Sequence, residues 1–179
     1  MRRLFVMYLS LTFVVSAAAF SQGKPYEEGY SFVFEKNGAV RSEVYRTAII
    51  PLVPNQVCFG WAMRLFNRTA AVQIKETLSV EKAPAQWHHG EATKVAPDRK
   101  TGVTTDILTP IDGWIQRSWC ILPGDPTGAY IFDIEIDGKP AGKFILCAEL
   151  PGTQTCPRYE AQVNHRGSHY GGHHRGKIT

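Results

Sequence analysis

Four of the six histidines in this 179-residue chain fall close together at its C-terminal end: His165, His169, His173 and His174, spaced by glycine, serine and arginine. A neutral imidazole ligates Zn²⁺, Cu²⁺ or Ni²⁺ through a ring nitrogen, so these four are the candidate metal ligands. Zn, Cu or Ni at this tail are the only cofactors the sequence suggests. Glycines 167, 171, 172 and 176 deny the segment a stable helix. The ion itself must therefore gather the histidines, and closing a glycine-rich chain costs entropy that keeps the affinity modest. The same residues also read as a solvated, positively charged terminus, or as a segment touching anionic envelope components.

The other reactive residue types lead away from catalysis. His88, His89 and Glu91 share one loop-like stretch, with Asp98, Asp106 and Asp112 further along. A hydrolase needs a nucleophile, a base and an orienting group in register. The chain contains no Gly-x-Ser-x-Gly, no His-Glu-x-x-His and no phosphate-cradling glycine loop. No catalytic residue is assigned, and the protein is expected not to be an enzyme.

Cysteines stand at 58, 120, 147 and 156, with no Cys-x-x-Cys pair among them. In an exported chain an even count favours two disulfides, for which three pairings exist. Cys58 and Cys120 both lie in apolar, strand-like runs, so Cys58–Cys120 with Cys147–Cys156 is the favoured pairing. Oxidation also removes any thiolate nucleophile.

Export itself is read from the N-terminus. Arg2 and Arg3 precede a nearly apolar run, Leu4 to Val15, and small residues follow at Ser16 to Ala19 and Ser21. That is the layout of a cleavable signal peptide, residues 1–21, cut after Ala19 or after Ser21. The apolar run falls short of the roughly 20 residues that span a bilayer, and no second such run exists, so no transmembrane span is expected in the mature chain. The expected location is secreted or periplasmic. The formal net charge of +4 sits at the two ends. Arg2 and Arg3 leave with the signal, and Arg158, Arg166, Arg175 and Lys177 face Glu160 alone in the tail. The remaining domain is near neutral, which argues against a nucleic-acid face.

What must position these residues is a set of strands. Tyr30, Phe32 and Phe34 alternate with Ser31, Val33 and Glu35, and Asn37-Gly38 follows as a hairpin signal, with Val40 to Thr47 as the return strand. The stretch from Gln22 to Gly29 reads as loose, and Pro51 and Pro54 break the pattern. Val57 to Phe66 is apolar on both parities, as in a central strand covered on both sides. Ala71 to Val80 alternates cleanly except that Glu76 falls among the apolar positions. A buried carboxylate needs a partner. Arg64 is the candidate partner, although a position near a sheet edge, in reach of water, is the slightly preferred reading. The long stretch from Glu81 to Gly102 reads as a loop with Trp87 as its inward anchor. Val103 to Ile111, Trp114 to Leu122, Tyr130 to Ile136 and Lys143 to Leu150 complete the strands, with turns at Asp112-Gly113 and Asp137-Gly138.

Seven or so short strands divided by turn signals make an all-β sandwich. The corner Asp125-Pro126-Thr127-Gly128-Ala129-Tyr130 and the hairpin after it resemble the last two strands of immunoglobulin-like and fibronectin-type sandwiches. The resemblance covers about residues 112 to 150 and implies that the Tyr130 hydroxyl bonds back to the backbone. Phe132 stands where antibody domains carry a cysteine, so the likeness is to the broad class. The expected organisation is a signal peptide at 1–21, an immunoglobulin-like antiparallel β-sandwich at 22–156 and a flexible tail at 157–179. The expected function is an exported, non-enzymatic binding or envelope-structural module whose partner is an unknown protein or envelope component. The alternative is a periplasmic metal-handling protein acting through the tail histidines.

Overall fold

The computed structural model describes residues 26–37, 40–41, 44–87 and 92–157. Every regular element among them is a strand. Seven are long: β1 (Tyr26–Asn37), β5 (Val57–Leu65), β6 (Val72–Val80), β8 (Thr101–Leu108), β9 (Trp114–Cys120), β10 (Gly128–Ile136) and β11 (Lys139–Glu149). Four are short: β2 (Val40–Arg41), β3 (Tyr45–Arg46), β4 (Ile49–Pro51) and β7 (Thr93–Val95). No helix in the described residues is long and apolar enough to cross a membrane.

The strands form two sheets. One runs β2-β1-β5-β9, with β3 also on β1; the other runs β4-β11-β10-β6-β8-β7. The all-β sandwich of two sheets expected from the sequence is the architecture observed. Neighbours are antiparallel except β4, which lies parallel to β11 through Ile49↔Cys147 and Ile50↔Ala148. This parallel strand falls where the prolines were read as a break. Pro51 is tolerated because it ends a three-residue edge strand, where a missing N–H costs no ladder bond. The sequence reading also misses the start of β1 and the whole of β7. β1 begins at Tyr26, inside the stretch read as loose, and β7 falls inside the stretch read as a loop. Both are held by pairing across space, Tyr26↔Leu65 and Thr93↔Thr104, which leaves no period in the local sequence.

The core lies between the sheets. Phe59, Trp61 and Met63 from β5 meet Ile74 and Leu78 from β6, Phe132 and Ile134 from β10, and Leu146 from β11. β5 is buried on both faces, as its composition implied. Val33 joins the main core, while Phe32 and Phe34 turn to the outer face of the sheet with Cys58 and Ala62. Tyr30, half-buried on that face, packs edge-to-face against Trp114 at 5.4 Å, and Arg46 lies over its ring at 3.9 Å. The turns at Asp112-Gly113 and Asp137-Gly138 have both residues at positive φ, the type I′ geometry that matches strand twist.

Both favoured disulfides are present, Cys58–Cys120 and Cys147–Cys156, and no described cysteine is free. Cys58 and Cys120 face each other directly across β5 and β9. Tyr130 is buried and its hydroxyl donates to the Pro126 carbonyl at 2.9 Å, the corner tie that the resemblance implied. Burial and the nearby Asp125 push its phenol well above the usual range, so it stays a neutral donor.

Two outcomes follow. Thiol labelling of the denatured, unreduced protein should detect no cysteine; labelling of two or more would overturn the pairing. Reduction should remove about 4 kcal/mol for the Cys58–Cys120 loop in the chain-entropy model. Tyr130→Phe keeps the ring but strands the Pro126 carbonyl, and should cost about 1 kcal/mol in denaturant unfolding. An unchanged midpoint would show that the corner bond contributes nothing.

Candidate functional site

The alternation of β6 sends Val72, Ile74, Glu76, Leu78 and Val80 to one face, and that face is the core. Glu76 is fully buried at 0% exposure. The opposite sheet supplies its partners. Trp61, in the middle of β5, donates its indole N–H to Oε2 of Glu76. Trp119, near the end of β9, donates its indole N–H to Oε1 at 2.7 Å. One carboxylate thus bridges both sheets through two indoles, and each oxygen has a donor.

The surroundings fix these groups in place. The Trp61 ring stacks on Phe144 at 6.0 Å, and Trp119 meets Trp87 edge-to-face at 6.2 Å. Trp87 is the inward anchor that the sequence suggested; its N–H donates to the Arg99 carbonyl at 2.9 Å and its ring covers Gly102. Thr104 lies opposite Glu76 on β8 and shares a hydrogen bond with Thr93 at 2.8 Å. No described buried side-chain nitrogen or oxygen lacks a partner.

Neither sequence reading of Glu76 holds. It is not near water, and its partner is not Arg64, which is half-exposed and pairs with Glu27 at 3.6 Å. The physical reason is parity: Arg64 lies on the outer face of β5, whereas Trp61 lies on the inner one. Desolvation pushes the Glu76 carboxyl above its ordinary range, while the two indole bonds and the field of Arg117 pull it down in part. Arg117 is itself paired with Asp106 at 2.6 Å, joining β9 to β8 across the rim of the sandwich.

As chemistry, the arrangement is a clamp. A general acid or base must reach a substrate proton, and Glu76 reaches only core groups. A small pocket of ≈ 30 Å³, room for about one or two waters, is lined by Phe59, Trp87, Trp119, Leu122 and Tyr130 and not by Glu76.

The remaining candidates are placed as follows. Cys58, Cys120, Cys147 and Cys156 form the two disulfides. His165, His169, His173 and His174 lie outside the described residues, as do His88, His89, Glu91, residues 1–21 expected to form a signal peptide, and residues 158–179. Among the described residues no group of three or more His, Cys, Asp or Glu is placed to hold a metal ion. Asp98 accepts the Lys100 N–H at 2.9 Å in its own turn, and Asp106 is committed to Arg117. The sequence shows only half of the clamp, a carboxylate among the apolar positions of one strand; which parity of the strands carrying Trp61 and Trp119 faces the core is not legible, because β5 is apolar on both and β9 is polar on both.

A family model described as PM0630 beta sandwich domain matches residues 30–149. Among solved structures, an immunoglobulin-like protein from Pseudomonas aeruginosa aligns at 9% identity and a TM-score of 0.46, covering 70% of this chain and 95% of that one. No curated protein matches the chain.

Glu76→Gln is expected to be far from conservative. The amide offers one acceptor to two indole donors, so one N–H···O bond becomes a donor facing a donor. The cost should be about 1–3 kcal/mol in denaturant unfolding. pH gives a second readout. The Glu76 carboxyl titrates higher in the folded than in the unfolded chain, so the folded state holds the extra proton between those two pKa values. Its contribution is complete below the unfolded pKa and is lost as pH rises through the folded one. The stability gap between wild type and the non-titrating Gln variant should therefore widen as the buffer is taken from neutral toward about pH 5. A gap that stays flat or narrows would contradict this.

Proposed function

We propose that this chain, which belongs to the PM0630 beta sandwich domain family, is an exported, non-enzymatic module that binds a protein or another component of the cell envelope, or braces it structurally. The observation that carries this reading is the pair of disulfides. Cys58–Cys120 locks an edge strand to the sheet, and Cys147–Cys156 ties down the chain beyond the last strand. Such bonds persist in oxidising compartments and are rare where thiols are kept reduced. This fits the signal-like N-terminus.

Binding is favoured over catalysis by how the polar groups are used. The buried carboxylate is saturated by two indoles, and the pocket lined by Trp87, Trp119 and Tyr130 is far smaller than a metabolite site. Contacts with a partner then fall to loops and strand edges. The second reading, handling of Zn, Cu or Ni, rests on the tail histidines of the sequence.

Fractionation of cells expressing the full chain tests the export half: the protein should be found outside the cytoplasm, beginning just after Ala19 or Ser21. A reduced, uncleaved cytoplasmic product would sink it. Calorimetric titration with Zn²⁺, Cu²⁺ and Ni²⁺, on the mature chain and on one ending at Gln162, separates the two readings. Equal behaviour leaves the binding module in place. Binding by the longer chain alone, fading below about pH 6, would put metal handling first.

A further inference from the structure

Among the described residues, β9 pairs with β5 on one side and with no strand on the other. The other strands at sheet margins span two or three described residues each. β9 is different: seven residues, Trp114–Cys120, with no proline. Long open edges are ordinarily blunted, because their unpaired N–H and C=O groups template further pairing.

The register shows which groups are unpaired. Ile121 N–H bonds to Val57 C=O, and Leu65 N–H bonds to Gly113 C=O, so the hydrogen-bonded pairs of this ladder are those with odd residue numbers. The main-chain groups of Trp114, Gln116, Ser118 and Cys120 therefore point away from β5. Those of Trp114 are taken in both directions by Ile111. What faces outward is the N–H and C=O of Gln116, Ser118 and Cys120, a row centred on Ser118. The side chains of Gln116 and Ser118 are exposed.

This edge is also held unusually firmly. The Cys58–Cys120 disulfide anchors one end, Trp119 bonds to the buried Glu76 of the opposite sheet, and Arg117 is paired with Asp106. Gly60 lets the strand lie close, since a Cβ there would meet the Arg117 carbonyl oxygen at 1.9 Å. An ordered template loses little entropy on pairing.

We infer that β9 is a dimerisation edge whose occupant is β9 of a second copy, paired antiparallel about a two-fold axis at Ser118. This register uses every free group: Ser118 exchanges bonds with its own copy, and Gln116 exchanges bonds with Cys120 of the other. A two-fold at Arg117 would set two guanidinium groups opposite each other and would need the occupied groups of Trp114. Centring at Ser118 instead sets each Arg117 across from Trp119 of the second copy, a cation beside an indole. The edge carries no other charge, and Asp106 already neutralises Arg117, so it is complementary to itself as an isologous contact requires. Two sheets join into one continuous sheet.

Sedimentation of the mature, oxidised full chain tests this. The wild type should be a dimer in equilibrium with monomer. Ser118→Pro deletes an N–H that the fold does not use and blocks the ladder at its centre, so the dimer should be lost while the strand signal in circular dichroism stays. Ser118→Lys sets two ammonium groups face to face across the axis and should also abolish it, through an exposed side chain that does not endanger folding. Ser118→Ala, which leaves the main chain intact, should remain dimeric. A wild type that stays monomeric overturns the inference and leaves the edge to a strand of another protein. A dimer that survives both Ser118→Lys and a folded Ser118→Pro overturns it as well.

Discussion

A carboxylate with no access to water survives in a sandwich core only when both oxygens are satisfied, and Glu76 meets that condition by drawing on the facing sheet. Apolar packing between two sheets is non-directional and tolerates sliding. The bonds from Trp61 and Trp119 to Glu76 are directional, and they fix where β6 stands relative to β5 and β9. Leaving one oxygen without a donor would cost the full desolvation penalty of a buried ionisable group. The relative placement of the sheets is therefore constrained at one point more sharply than the surrounding aliphatic core could manage.

The same clamp ends on β9, and so do the other staples. The strand contributes Cys120 to a disulfide, Arg117 to the rim ion pair and Trp119 to the carboxylate. An edge strand has ladder bonds on one side only and is where a sheet would fray first. Here the covalent, ionic and hydrogen-bonded cross-links concentrate on the element that the ladder supports least.

The face of the sheet turned away from the core has its own role. Phe32, Phe34, Cys58 and Ala62 bury apolar surface there, beside Tyr30 and Trp114. β5 thus has no polar side except Arg64. The Cys58–Cys120 disulfide lies within this second cluster, so the bond is shielded by aromatic neighbours at the Cys58 end.

Much of the fold was legible along the chain. A strand writes its two faces into alternate positions, so the seven long strands, the two Asp-Gly turns and the Tyr130 corner could be read from period and turn chemistry alone. The cysteine pairing was readable for a related reason: two cysteines in apolar strands have few places to go. The short strands β4 and β7 were not legible, because three residues hold no period and their pairing comes from distant partners. Nor was the clamp. The sequence by itself put Glu76 among the apolar positions of its strand, but β5 is apolar on both parities and β9 carries polar residues on both, so it did not say that Trp61 and Trp119 face the same core or what stands across from Glu76. Only the packing of one sheet on the other brought residues 15 and 43 positions apart to a single carboxylate. The open edge of β9 was decided at the same level, since strand order depends on which strands find each other in space.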